Sequence, residues 1–243
     1  MRCHATENLV SMTCIQDPHE HEPEGVIKYQ LTFHEQALSE SLIHHDSSSK
    51  TIDSILVELN SSRSLLAEKG LIGQDPCRYG GDGFGNISTR IIETIFLISG
   101  SQTGHIDRLR RQDLALVDHF DIRLNQLSAY GLTKPSSESM THGVCYQSHA
   151  DITAVIHVHS PDIWQAIDAL NIPFTDADIP YGTPQMAYAV AQLLKDQYQV
   201  GKPTIFGMKG HQDGIVAVGD SFSACTFSLL ECLNQSILMK RYR

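Results

Sequence analysis

The fold of this chain follows from a short apolar stretch at residues 154–161, which reads AVIHVHSP. Its β-branched residues favour a strand, in which successive side chains point to opposite faces of a sheet. His157 and His159 are two residues apart, so they share one face with their Cα atoms about 6–7 Å apart. Because two imidazoles held in this way can bind one metal ion, the pattern predicts half of a zinc site.

The residues after this strand predict a helix. Ser160 is a favoured N-cap residue, and Pro161 suits the first helical position. The two histidines therefore lie at the carboxyl end of a strand, the edge at which open α/β sheets place their ligands. The competing interpretation of each histidine is an ordinary hydrogen-bonded core or surface residue.

The composition indicates an acidic globular protein with one hydrophobic core. A formal net charge of -10 argues against a nucleic-acid partner, since binding phosphates requires a basic face. No apolar run is long enough for a transmembrane helix, and residues 1–7 lack the apolar core of a signal peptide. We therefore expect no membrane partner. The six cysteines show no CxxC pairing, so we expect reduced thiols and a cytoplasmic protein.

Strands and helices alternate along the chain, which predicts an α/β fold. We expect residues 1–45 to form an N-terminal arm with a strand at 26–33, and residues 46–243 to form the main domain. In that domain the patterns predict helices at 51–69, from 134, from 184 and from about 220, and strands at 94–99, 114–117, 154–159, 204–208 and 215–218.

Two further segments complete a candidate site. His211 lies on a glycine-flanked loop between two short strands, which makes it the best third ligand for a catalytic zinc with three protein ligands. Glu138 is expected in the first turn of its helix, where the helix dipole stabilises a carboxylate. Ser136 and Ser137, at the same helix start, expose hydroxyls and backbone N–H groups that suit a phosphate or carboxylate. A solvated loop histidine and plain N-capping residues are the competing interpretations.

Five short motifs, in order, resemble those of the class II aldolase/adducin family. They are GFGNIS at 83–88, TG at 103–104, PSSE at 135–138 with His142 four residues on, HVHS at 157–160 and PYGT at 180–183. The resemblance covers about residues 50–240. It implies a three-layer α/β/α domain with a mixed, largely antiparallel central sheet, assembled as a cyclic tetramer with the active site near a subunit interface.

The resemblance also implies roles for individual residues. A divalent ion, usually zinc, would be held by His157, His159 and His211. Glu138 would occupy the metal site when it is empty and act as acid and base when substrate binds. The substrate phosphate would be bound by a polar set that comprises Asn86, Thr103, Gly104, Ser136 and Ser137. A metal that chelates adjacent hydroxyl and carbonyl oxygens withdraws charge, so a carbanion beside the carbonyl becomes an enediolate.

These roles favour a metal-dependent lyase that makes or breaks a C–C bond in a small sugar-like or sugar-phosphate substrate. An epimerase, a dehydratase or a decarboxylase would use the same ligands.

A non-catalytic, adducin-like interaction module predicts loss of the metal histidines, which this chain keeps. A hydrolase that uses the zinc-bound water is less favoured, because no substrate cleft can be inferred from the sequence. The sugar-phosphate aldolases carry a tyrosine that the stretch 169–179 lacks.

Overall fold

A computed structural model of the chain describes residues 24–43 and 51–241. The predicted arm before residue 24 lies outside the described residues. Within them the elements are, in chain order, β1 (Gln30–Glu35), α1 (Glu40–Ile43), α2 (Ile52–Glu68), β2 (Gly73–Gln74), β3 (Gly83–Phe84), β4 (Asn86–Ile92), β5 (Ile95–Ser99), β6 (Leu114–Asp121), β7 (Gln126–Gly131), α3 (Ser139–Ser148), β8 (Ala154–His159), α4 (Pro161–Gln165), β9 (Phe174–Thr175), α5 (Pro184–Gln197), β10 (Thr204–Met208), β11 (Gly214–Gly219) and α6 (Phe222–Arg241).

Most of the strands form one sheet in the order β1-β7-β6-β5-β4-β8-β11-β10-β9. Strand β1 pairs with β7 in parallel, and β9 pairs with β10 in parallel. Every other neighbouring pair of this sheet is antiparallel. Strands β2 and β3 form a separate two-stranded ribbon. The predicted mixed, largely antiparallel central sheet is therefore confirmed.

Helices cover both faces of the sheet and produce three layers. Buried side chains of α2, α4 and α6, such as Leu59 and Leu229, pack in the core on one face. Those of α3 and α5, such as Val144 and Val190, pack in the core on the other. Among residues 24–43 and 51–241, no helix is long and apolar enough to cross a membrane.

Strand β8 lies in the middle of the sheet and is buried along its whole length. Ile156 and Val158 join the core beneath α2 and α6, whereas Val155 joins the core beneath α3 and α5. Because side chains alternate along a strand, His157 and His159 share the face of Val155. The two imidazoles therefore point toward α3 and α5.

Helices α4 and α5 begin where the sequence predicts. The hydroxyl of Ser160 accepts a hydrogen bond from the N–H of Ile163 at 3.2 Å. The hydroxyl of Thr183 accepts one from the N–H of Met186 at 3.2 Å, and a proline follows each cap. These bonds satisfy backbone donors that have no partner within the first helical turn.

Other elements differ from the sequence-based expectations. The sequence predicts neither β4 nor β7, because their polar residues interrupt the apolar pattern of a buried strand. Helix α3 begins at Ser139 rather than near residue 134, since Pro135 forms a bridge with Gly100 instead. The strand predicted at 26–33 begins at Gln30 and runs along the edge of the main sheet.

The cysteines differ in one respect from the expectation of reduced thiols. Cys145, Cys225 and Cys232 are free and buried. Cys77, in contrast, is disulfide-bonded, so the expectation is wrong for this residue.

Candidate metal centre

Three histidines meet at the carboxyl end of the central strand β8. One nitrogen of each of His157, His159 and His211 lies within 4.8 Å of the corresponding atoms of the other two, and all three side chains are buried. The Nε2 atoms of His157 and His159 are 3.1 Å apart. We call these three residues the histidine cluster.

A tight loop between β10 and β11 brings His211 to this position. The N–H of His211 donates to the carbonyl of Met208 at 2.9 Å, and the N–H of Gly214 donates to the carbonyl of His211 at 3.0 Å. Antiparallel pairing of β11 with β8 then places Gly214 opposite His159. A side chain at Gly210 would collide with the backbone of Ile179, so this position requires glycine.

Glu138 lies beside the cluster and is almost completely buried. Its Oε1 is 3.7 Å from Nδ1 of His211 and has no hydrogen-bond partner in the described part of the chain. Its Oε2 accepts a hydrogen bond from the hydroxyl of Thr141 at 3.1 Å. Glu138 occupies the N-cap position of α3 rather than the predicted first turn. The residue nevertheless faces the site for which the sequence proposes it.

A second carboxylate reaches the cluster from the segment before β1. Glu24 Oε2 is 2.9 Å from Nε2 of His211, and Glu24 Oε1 is 3.7 Å from Nε2 of His159. The Glu24 side chain is only 10% exposed. Sequence reasoning missed this residue, because it lies in a polar stretch without a pattern that signals a site.

The histidines differ in their tendency to take up a proton. Burial lowers the pKa of His157 and of His159 well below the usual value, and the nearby charge of His211 lowers both further. Burial acts in the same direction on His211, but its hydrogen bond to Glu24 and the charges of Glu138 and Glu24 together raise its pKa above the usual value. Neutral imidazole, the form of the two β8 histidines, is the form that binds metals.

This set of donors fits a divalent metal ion. Three imidazoles and one or more carboxylates are ligands that zinc prefers in proteins. One polar atom beside these imidazoles, Oε1 of Glu138, is buried and has no hydrogen-bond partner within the described ranges. A buried polar atom without a hydrogen-bond partner costs free energy unless a ligand pairs with it.

Aromatic side chains enclose the cluster. The ring of Tyr181, in the PYGT motif, stacks on His211 with the ring centroids 4.2 Å apart. The ring of Tyr79 meets His159 edge-on at 4.6 Å, and its hydroxyl donates to Asp213 at 2.7 Å. Sequence reasoning assigned no role to Tyr79 or Asp213. These rings limit the access of water to the histidine cluster.

The comparison with family models decides the family. A model described as "Class II Aldolase and Adducin N-terminal domain" matches residues 79–239, which is more than half of the chain. The chain belongs to this family. The resemblance of the sequence motifs is thereby confirmed.

One curated protein shares part of the sequence. The chain is 30% identical over 111 residues to a protein named probable L-ribulose-5-phosphate 4-epimerase from Mycoplasma pneumoniae. The match covers 46% of this chain and 41% of that protein, so it spans less than half of the relative.

Solved structures with class II aldolase folds resemble most of the chain. The L-fuculose-1-phosphate aldolase of Thermus thermophilus aligns with a TM-score of 0.56 at 20% identity, over 78% of this chain and 94% of that chain. The sugar-phosphate aldolase of Thermotoga maritima aligns with a TM-score of 0.59 at 14% identity, over 78% and 95%. At these identities the likeness shows the fold, and the predicted fold class is confirmed.

The residues that the class II aldolase resemblance assigns to phosphate binding lie on three neighbouring segments. Asn86 begins β4 directly opposite His157, and its buried Oδ1 has no partner among the residues that the structure describes. Thr103 and Gly104 lie in a loop that Arg63 holds through hydrogen bonds to both carbonyls, at 3.0 and 2.9 Å. The Thr103 hydroxyl donates to the carbonyl of Gly100 at 2.8 Å, so it serves the loop itself.

Ser136 and Ser137 are buried, contrary to the expectation that they expose their hydroxyls. The hydroxyl of Tyr29 donates to the carbonyl of Ser136 at 2.8 Å. The segment before β1 therefore covers this helix start. The loop of Thr103 is joined to the segment that contains Ser136, since the N–H of Ser101 donates to the carbonyl of Lys134 at 2.8 Å.

Proposed function

We propose that this member of the class II aldolase family is a metal-dependent lyase for a small sugar phosphate or a related hydroxylated carbonyl compound. The observation that carries the proposal is the convergence of three buried histidines on one site beside the unpaired carboxylate oxygen of Glu138. The names of the aldolase structures that share the fold support sugar phosphates as the substrate class.

His157, His159 and His211 would hold a divalent ion, which we propose to be zinc. Bound there, the ion would supply Lewis-acid stabilisation of the negative charge that develops on a substrate carbonyl oxygen. The cluster suits this task because its three side chains are rigidly placed by β8 and by the loop before β11.

Glu138 would transfer the proton in this reaction. Burial raises the pKa of its carboxyl group, which brings the group closer to the pH at which an acid–base catalyst works best. The Thr141 hydroxyl holds Oε2, so that Oε1 remains directed at the cluster. In the cleavage direction the substrate hydroxyl beside the breaking C–C bond would lose its proton as it becomes the aldehyde, and Glu138 would give a proton to the carbon that carried the broken bond.

Asn86, Thr103, Gly104, Ser136 and Ser137 would bind the substrate phosphate in this proposal. Asn86 is the cross-strand neighbour of His157, and hydrogen bonds join the other two segments to each other. We further propose that the protein is a homotetramer, as the family resemblance implies, and light scattering of the purified protein measures its oligomeric state. The proposed location is the cytoplasm, which the scattered cysteines without CxxC pairing suggest.

A 4-epimerase is the second candidate, because the partial match to the Mycoplasma pneumoniae protein favours it. Both reactions would begin with the same C–C cleavage beside a carbonyl group. In an aldolase the aldehyde fragment leaves, whereas in an epimerase it turns over and rejoins with inverted configuration. Whether the reaction is an aldol cleavage or an epimerisation depends on how firmly the site retains the aldehyde fragment.

The test is a screen of the zinc-loaded protein against a panel of ketose phosphates and hydroxy-keto acids. Aldehyde release supports the lyase, while an epimeric product detected by NMR without release supports the epimerase. A His157→Ala protein prepared in the same way controls for contaminating enzymes. Absence of any turnover by a protein that also binds no divalent ion contradicts the proposal.

A further inference from the structure

We propose that Glu24 is a fourth protein ligand of the divalent ion, delivered to the histidine cluster by the segment before β1. The inference rests on the proposed function, because it requires an ion at that cluster. It adds to the site a residue that comes from outside the stretch that resembles the family.

Three distances at the site are close to the spacing of ligands around one ion. Ligand atoms at about 2.0–2.1 Å from a tetrahedral zinc are about 3.3 Å from one another. The cluster has 3.1 Å between the Nε2 atoms of His157 and His159, 2.9 Å between His211 Nε2 and Glu24 Oε2, and 3.7 Å between His159 Nε2 and Glu24 Oε1. The Glu24 carboxylate therefore has the spacing of a ligand.

The two carboxylates of the site contact different nitrogens of His211. Glu24 faces Nε2 at 2.9 Å, on the side shared with His159, whereas Glu138 faces Nδ1 at 3.7 Å. Oε2 of Glu138 also accepts a hydrogen bond from the hydroxyl of Thr141. This arrangement separates the two functions, with Glu24 as a ligand and Glu138 left to transfer protons.

Several contacts hold Glu24 over the cluster. Gly25 follows it with a φ of +77°, a left-handed conformation that turns the chain and favours glycine. The ammonium of Lys28 then donates to the carbonyl of Tyr181 at 3.0 Å. The hydroxyl of Tyr29 donates to the carbonyl of Ser136. The segment is thus fixed beside the stacking partner of His211 and beside the start of α3.

The burial of Glu24 supports the same conclusion. A carboxylate with a 10% exposed side chain loses much of its hydration, and that cost must be offset by a cation or by hydrogen bonds. Its close polar contacts in the described part of the chain are with the imidazoles of His211 and His159, which are themselves candidate metal ligands. A divalent ion shared by these groups would offset the cost directly.

The experiment measures metal binding by the full-length, metal-free protein. Zn²⁺ affinity is obtained by competition with a chromophoric chelator, and Co²⁺ is added separately to record its visible ligand-field spectrum. We expect Glu24→Gln to weaken Zn²⁺ binding about 100-fold or more, beyond the usual effect of losing an outer partner, and to change the Co²⁺ spectrum, because one protein ligand is lost. Glu35→Gln, which alters an exposed glutamate of β1, should match the wild-type protein in both measurements.

A third variant separates ligation from charge. Glu24→Asp keeps the negative charge but is one methylene shorter, so a ligand role predicts that it also weakens Zn²⁺ binding. Wild-type affinity in Glu24→Asp would overturn the ligand role, as would wild-type affinity and spectrum in a folded Glu24→Gln. If the wild-type protein bound no divalent ion at all, the proposed function would fail first, so the two failures are distinguishable.

Discussion

Among the residues that the structure describes, buried histidines occur in two groups of side chains, one around His142 alone and the other being the histidine cluster. His142, in α3, has its Nδ1 2.6 Å from the hydroxyl of Ser88, which is also 2.6 Å from the hydroxyl of Tyr146. In the histidine cluster, by contrast, imidazole nitrogens face one another and two carboxylates. All four histidines are buried, so burial alone does not distinguish a structural histidine from a candidate ligand. The partners of each imidazole make the distinction.

The electrostatics of the two groups support this contrast. Burial lowers the pKa of His142 to about 3, so this imidazole is neutral and bonds to neutral hydroxyls that join β4 to α3. The pKa of His211 is instead raised by Glu24 and Glu138 against the effect of its burial. The first group therefore stabilises the fold without a charge, and the second holds charges that suit a cation.

Removing one imidazole of the cluster should have the largest effect. We expect His157→Ala to weaken Zn²⁺ binding more than 100-fold, since a ligand is lost rather than an outer partner. The free energy of unfolding of the metal-free protein should fall by only about 1 kcal/mol. Elemental analysis and denaturant unfolding check the two outcomes. Full metal occupancy in this variant would contradict the assignment of His157.

Glu138→Gln should preserve the metal and remove the chemistry. We expect turnover to fall about 10²–10⁴-fold, because the amide cannot transfer a proton. The variant should still bind one Zn²⁺, with an affinity weakened about 10-fold at most, because Glu138 faces Nδ1 of His211 as an outer partner and not as a ligand. Steady-state kinetics on the substrate found in the screen provides the measurement, and wild-type turnover would refute the acid–base role.

At the group of His142, Ser88 and Tyr146 we expect a loss of stability without a loss of metal. Ser88→Ala leaves both the Nδ1 of His142 and the hydroxyl of Tyr146 without their shared partner. Two buried polar groups without partners should lower the free energy of unfolding by about 1–3 kcal/mol. Urea unfolding followed by circular dichroism measures the loss. Zn²⁺ stoichiometry should not change, and a loss of metal would show that the two groups are not independent.

Tyr146→Phe should have the smallest effect. It removes one of the two hydrogen bonds of Ser88 and leaves His142 paired. The expected loss is about 0.5–1.5 kcal/mol in the free energy of unfolding, measured in the same urea titration. A loss greater than that of Ser88→Ala would indicate that the tyrosine hydroxyl, and not the serine, is the centre of the network.

Local patterns predicted the elements whose signals lie within a few neighbouring residues. His157 and His159, two residues apart, lie in strand β8 as expected. Ser160 caps α4 as expected. Strands β4 and β7 could not be predicted in the same way, because their pairing partners, and not their own composition, make them strands. The start of α3 was misplaced for a similar reason, since Pro135 pairs with Gly100.

The sequence by itself determined the family, the pair of histidines on one strand face and the starts of two helices. These features depend on the alternation of side chains and on hydrogen bonds within a single helical turn, which are local. Only the tertiary structure placed His211 and Glu138 beside that pair and brought Glu24 to His211 across 187 positions of the chain. Such contacts depend on the order of strands in the sheet and on the path of the segment before β1. They are set by packing over the whole domain, and no short stretch of sequence records them.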